Sequence, residues 1–266
     1  MPDHSSAQDM PIFSREQPSI NEKAFSGRDS TEAAYIQLRK AIVRCEIPSG
    51  MQLSQRELSE LLGVGRTPLR EALRMLQHEG LVEAEPNHRI RVADLSIPDL
   101  EQLYATRITL EALAIRLTVP VLQRDGLQML EFCLTQMARL PTSEEYERWE
   151  IPHRCFHMGL VSNAGARIVT LIAQLSDHAE RYRRFYSTEA PRVHERGMRE
   201  HQAIADACIA RDPDLAAERL ARHYSSIALG IIAVLAPEYD PVMVRTALHS
   251  VIQGRSDGKN GAQNAK

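Results

Sequence analysis

Residues 54–76, SQRELSELLGVGRTPLREALRML, constrain the fold of this chain more than any other stretch. They predict two short helices joined by a glycine-bounded turn. Ser54 and Glu57 stand three apart, the spacing of a capping box in which each side chain bonds the other's backbone N–H. Gly63 suits the left-handed position that ends a helix. Thr67 is placed to cap the second helix, with Pro68 at its first position, where a missing N–H costs nothing. Leu58, Leu61, Leu62, Val64, Leu69, Ala72, Leu73 and Leu76 form an apolar seam between the two. Arg66 and Arg70 are left at the exposed start of the second helix, where a helix-turn-helix presents side chains to the major groove.

The stretch resembles the GntR family of bacterial transcription regulators, and the likeness runs on to both sides. Tyr35–Val43 and Ile47–Leu53 look like that family's first helix and the connection to its second. His78–Val82 and Asn87–Val92 look like the end of the recognition helix and the wing. The resemblance implies a winged helix-turn-helix over residues 31–93, with DNA contacts from Arg56, Arg66, Thr67, Arg70 and the wing tip at His88. It implies a transcription regulator rather than an enzyme. One departure is visible: the family's wing reads Asn-Arg-Gly, whereas this chain has Asn87-His88-Arg89 and so lacks the glycine that eases a left-handed turn.

Net charge would not have found this site. Residues 30–95 carry nine Lys/Arg and nine Asp/Glu, so attraction to DNA must come from local clustering. The whole chain, at −3 and a pI near 6.4, is no polybasic binder. No apolar run approaches the roughly 20 residues that span a bilayer, and the polar N-terminus carries no signal-peptide core. Cys45, Cys133, Cys155 and Cys208 lie far apart, which fits reduced thiols in a cytoplasm better than a disulfide framework. A soluble, cytoplasmic protein is expected.

The segmentation reads as a flexible arm (1–29), the winged helix-turn-helix (30–94), an all-helical unit (95–235) and a partly disordered tail (236–266). Leu95–Asp99 reads as a hinge, with Ser96 capping and Pro98 opening the next helix. Beyond it, Leu100, Leu103, Tyr104, Ile108 and their successors recur at three- and four-residue spacing. Pro120 interrupts the run, and short breaks at Ser162–Gly165 and Asp212–Asp214 favour antiparallel neighbours. The expected fold is mainly α, a winged helix-turn-helix followed by an antiparallel bundle of six or seven helices. Only a weak helical pattern, Val242–Ile252, lies in the tail.

Four histidines in the bundle form a pattern. His153 and His157 share one helix face. His201 and His223 each lie 11 residues from Asp212, the centre of a helical hairpin, so they stand at one level. Imidazole is the commonest metal ligand, and bundle cores are where such sites are built. Spacing alone leaves open that these are surface or singly hydrogen-bonded histidines. His153–Leu160, Glu200–Ile204 and Arg219–His223 resemble the FCD effector-binding domain found in one GntR subfamily. That likeness implies a divalent metal held by one aspartate and three histidines beneath a small-molecule pocket. His157, His201 and His223 match the histidine positions, and His153 stands at the aspartate's. Four neutral imidazoles would leave a divalent ion at +2, which favours zinc, nickel or copper over manganese or magnesium. His178, on the next helix, is read as structural.

Arg107 is suited to bind a carboxylate bidentately, and the resemblance implies an arginine here facing the pocket. An intrahelical pair with Glu111, or plain exposure, is the alternative. Cys155 points off the histidine face and reads as packing, and Arg181–Arg184 reads as a solvated face from which one arginine could reach the pocket. The whole implies a homodimer on an inverted-repeat DNA operator, sensing a small organic acid through a metal-containing domain. The competing readings are a metal-free sensor of the same fold and a histidine-ligated metallohydrolase. For the last, the chain offers no H-E-x-x-H and no general base beside the histidines.

Overall fold

The computed structural model describes residues 30–85, 89–140, 146–189 and 193–263. The chain divides into two units, one ending at Ser96 and the other beginning at Ile97.

The first unit runs α1 (Ser30–Val43), β1 (Gln52–Ser54), α2 (Gln55–Leu62), α3 (Arg66–His78), β2 (Val82–Glu85) and β3 (Arg89–Val92). The strands form an antiparallel sheet in the order β1-β3-β2, with Ile90 opposite both Leu53 and Ala84. Leu38, Ile42, Leu58, Leu69, Leu73, Leu76, Leu81 and Ile90 fill the core from helices and sheet together. The capping box is formed: Glu57 N donates to Ser54 Oγ at 3.1 Å and Ser54 N to Glu57 Oε2 at 2.9 Å. Gly63 ends α2 at φ 63°, and Ser59 Oγ donates to Val64 O at 2.6 Å across the turn.

The start of α3 departs from expectation. Its N-cap is Gly65, not Thr67, and no side chain caps it. The helix begins two residues earlier because Gly65 O accepts from Leu69 N at 3.2 Å. Pro68 becomes the third residue, still within the turn whose N–H groups have no helical partner, so the early start wastes no bond. Leu61, placed in the apolar seam, is only half-buried. The wing-tip residue His88 lies outside the described residues.

The second unit contains, among the described residues, seven α-helices: α4 (Ile97–Thr118), α5 (Arg124–Ala138), α6 (Tyr146–Leu160), α7 (Ala166–Glu189), α8 (Val193–Ile209), α9 (Pro213–Leu235) and α10 (Val242–Gln263). Pro120 sits in a single 3₁₀ turn between α4 and α5. Asp212 caps α9, accepting from Leu215 N at 2.8 Å, and Pro213 occupies the first position.

The tail was read as weakly helical and partly disordered, yet α10 runs to Gln263 and packs on α4 and α9. Val244, Ala247 and Val251 are buried there. Two polar ties add to this packing. Buried Glu101 of α4 accepts from Met243 N at 2.6 Å and Tyr239 Oη at 2.7 Å, placing a carboxylate at the positive end of the helix. Arg116 donates to Val251 O at 3.1 Å.

Candidate functional site

In the first unit the candidate DNA contacts share one exposed region. Arg66 and Thr67 are the first two residues of α3, and Arg70 follows one turn later; all three are exposed. Neither Arg66 nor Arg70 forms an ion pair among the described residues. Because Thr67 is not used as a cap, its hydroxyl is free for another partner. The uncapped α3 N-terminus also leaves backbone N–H groups open, a natural phosphate seat. Arg56, in the first turn of α2, pairs with Glu60 at 2.9 Å, with its side chain 80% exposed. Such a pair is water-screened and exchanges readily for a phosphate.

In the second unit, α6 contributes His153 and His157, α8 His201 and α9 His223. All four are only 2–4% exposed. One ring nitrogen from each lies within 4.8 Å of all the others. His157 Nε2 and His201 Nε2 are 3.1 Å apart, and the His201 and His223 rings, level across the hairpin, have centroids 4.5 Å apart. His178 is not part of this group.

The hydrogen bonds behind His157 and His223 set the tautomers of those two rings. Tyr224 Oη has one proton and gives it to Glu111 Oε2 at 2.6 Å. Its 3.0 Å contact with His157 Nδ1 therefore requires the imidazole to donate, which leaves a lone pair on His157 Nε2. Glu200 Oε2, 2.7 Å from His223 Nδ1, likewise draws the proton to Nδ1. His223 Nε2 is then a buried acceptor with no partner. Glu150 Oε2 lies 3.2 Å from His153 Nδ1, an ion-pair contact rather than an aligned hydrogen bond, and neither atom has another hydrogen-bond partner among the described residues; the Trp149 ring stacks on His153 at 4.3 Å and 22°.

Burial keeps His153 and His157 neutral. It lowers the His153 pKa to about 4, against an upward pull from Glu150. His157 is driven well below its usual range by burial and then by the neighbouring histidines. Neutral imidazole is the ligand form. Zinc–nitrogen bonds of about 2.0–2.1 Å place tetrahedral ligands roughly 3.3–3.4 Å apart, close to the observed His157–His201 separation. The residues fit a divalent ion, with outer partners of the kind that orient metal-bound histidines.

Arg107 is paired and buried at once. Its Nε donates to Glu111 Oε1 at 2.7 Å, the i+4 alternative expected from sequence, but it is 2% exposed rather than solvated. Its guanidinium lies over the Tyr224 ring, 4.1 Å from the centroid. A chain Arg107–Glu111–Tyr224–His157 therefore runs to the histidines, and the Arg107 Nη groups bond no other described residue.

Two expectations are corrected. Arg181 and Arg183 are buried rather than a solvated face, and Arg183 Nη2 donates to Glu150 Oε1 at 2.7 Å. Cys155 is exposed rather than packed; burial and then the neighbouring Cys155 push the thiol of buried Cys133 up to about 12. Sequence reading missed Glu150, Glu200 and Tyr224 as partners of the histidines. Glu150 was findable: at i−3 from His153 and i−7 from His157 it shares their helix face.

The sequence matches bacterial regulatory proteins of the gntR family over residues 30–92 and the FCD domain over residues 102–226. An uncharacterized HTH-type transcriptional regulator, BphR of Paraburkholderia xenovorans, is 31% identical over 212 residues, covering 75% of this chain and 84% of the relative. The HTH-type transcriptional repressor GlaR of Escherichia coli is 27% identical over 198 residues, covering 71% and 90%. Among solved structures, E. coli McbR/YncC shares the fold at a TM-score of 0.66 and 22% identity, covering 79% of this chain and 99% of that one. A putative GntR regulator from Rhodococcus sp. RHA1 does so at 0.66 and 24%, covering 80% and 100%. These relatives are regulators, not enzymes, and no helix among the described residues is long and apolar enough to cross a membrane. The chain belongs to the GntR family of bacterial regulatory proteins and is a DNA-binding transcriptional regulator with an FCD domain.

Proposed function

We propose that this regulator binds an inverted-repeat operator as a homodimer and senses a small carboxylate in a helical unit that holds a divalent ion, zinc or nickel by preference. The observation that carries the sensing half is the convergence of four buried imidazoles, with His157 Nε2 facing His201 Nε2 at 3.1 Å and His223 Nε2 left without a partner among the described residues. An unpartnered nitrogen in a dry core is costly, and an ion among the four rings would satisfy it. His157, His201 and His223 are the core ligands and His153 the fourth. A bound ion would supply a positive centre with room for a carboxylate oxygen, and the Nη groups of Arg107 would take the carboxylate's other oxygen.

On DNA, Arg66 and Arg70 read base edges and Thr67, Arg56 and the wing at His88 hold the backbone. One recognition helix reads only a few base pairs, so a two-fold dimer on an inverted repeat doubles the site. A ligand regulates only if it binds the two states unequally; couplings of about 1–3 kcal/mol change affinity roughly 5- to 150-fold. The test is operator titration of the zinc-loaded protein with and without candidate carboxylic acids, in wild type and Arg107→Ala. An acid should shift the wild-type midpoint and leave the variant unmoved. A panel of acids that stabilise the protein without moving the midpoint would contradict the mechanism.

A further inference from the structure

The four histidines are not supported alike. His157 leans on a neutral hydroxyl and His223 on a carboxylate 27% exposed. His153 faces Glu150, which is 6% exposed and also holds Arg183, itself 8% exposed. The two carboxylate oxygens are divided, Oε1 at 2.7 Å from Arg183 Nη2 and Oε2 at 3.2 Å from His153 Nδ1. Trp149 covers one face of the His153 ring and so fixes its plane. What remains to be decided is which nitrogen turns to the centre. A fixed carboxylate at Nδ1 decides it, because turning the ring over would break that contact and bury the charge against carbon.

We propose that Glu150 is the positioning residue that commits His153 to the metal through Nε2, making the centre four-nitrogen rather than three-nitrogen. The proposal rests on the reading that the cluster holds a metal. Glu150 touches no ion; it acts through His153, drawing the Nδ1 proton and making Nε2 the stronger donor. It also places a negative charge one residue behind a ligand set of neutral rings. Arg183 keeps Glu150 in place while leaving Oε2 for His153.

The test is cobalt(II) titration of the full-length chain, followed by visible absorption and by zinc competition. Wild type should give the intense bands of a tetrahedral nitrogen site. Glu150→Gln leaves Arg183 buried without its partner, so Glu150→Gln/Arg183→Gln, which removes both charges, is measured beside it. Both should bind zinc about 10- to 100-fold more weakly and give the weaker bands of a centre that has taken up water. His153→Ala should give the same spectrum, and adding Glu150→Gln to it should cost nothing further. Arg183→Gln alone, whose amide N–H can still donate to Glu150 Oε1, should retain the wild-type spectrum. Glu150 variants that lose thermal stability but keep the wild-type spectrum and affinity would overturn the proposal, since that is what a packing role gives. A wild-type chain that takes up neither cobalt nor zinc would overturn the metal reading and this proposal together.

Discussion

The two units place their polar chemistry in opposite ways. Among the described residues, the first unit buries no charged side chain, and Arg56, Arg66 and Arg70 are all exposed around an apolar core. The second buries Glu101, Arg107, Glu111, Glu150, Asp177, Glu180, Arg181, Arg183 and four histidines. A surface that meets a polyanion needs mobile, hydrated cations, whose attraction costs no desolvation beforehand. A site that selects one small ion or acid needs fixed, dry donors, and buried polar groups are tolerated only when partnered. The first unit therefore separates stability from function, whereas the second makes them depend on the same residues.

Changes confined to each unit sharpen this contrast. Leu76→Ala in the first core should cost about 2–5 kcal/mol and weaken DNA binding while leaving zinc uptake intact. Thermal denaturation with a zinc titration checks this, and lost zinc binding would break the separation. Stripping the ion with a chelator, from a protein held at a hundred to a thousand times the dissociation constant, should lower the second unit's stability by about 3–4 kcal/mol. Hydrogen exchange should show the loss in α6, α8 and α9 and not in α1–α3.

Acid should act on the same side. The ordinary histidine value is near 6.5, and burial holds His153 at about 4, so the unfolded chain takes up the proton first. Stability present above pH 6.5 is then lost as pH falls toward 4, by up to about 1.4 kcal/mol per unit for each such histidine. Urea titrations of the chelated protein across that window measure it; a flat profile would contradict neutral burial. Smaller effects belong to the DNA-binding surface. Arg66→Ala or Arg70→Ala should cost about 1–3 kcal/mol in operator affinity if the side chain reads a base, without changing the melting curve. Unchanged affinity in both would remove α3 as the reader. Ser54→Ala, which deletes a formed capping box, should cost about 1 kcal/mol of stability.

The same contrast explains what the sequence made legible. The helix-turn-helix was readable because its signals are local: Ser54 with Glu57, Gly63 at the turn, and leucines at helical spacing. The error at Thr67 arose because a Thr-Pro pair suits a cap, while the neighbouring Gly65 serves as well and starts the helix sooner. In the bundle the histidine positions were readable from helical geometry and hairpin symmetry. Most of their partners were not, because Glu200 and Tyr224 meet the histidines across helices, and only Glu150 shares a helix face with the histidine it faces. The basic run around Arg183 looked like a solvated face, since nothing local shows that Glu150 lies against it. The seating of α10 was illegible for a related reason: the carboxylate that holds its start is Glu101, far away in sequence.

The central claim is that the buried histidines form one metal centre, and elemental analysis after zinc loading and exhaustive dialysis tests it most directly. Wild-type chain should retain about one ion, and His157→Ala and His201→Ala should each retain far less while still folding. Full occupancy in both variants, or none in the wild type, would contradict the account.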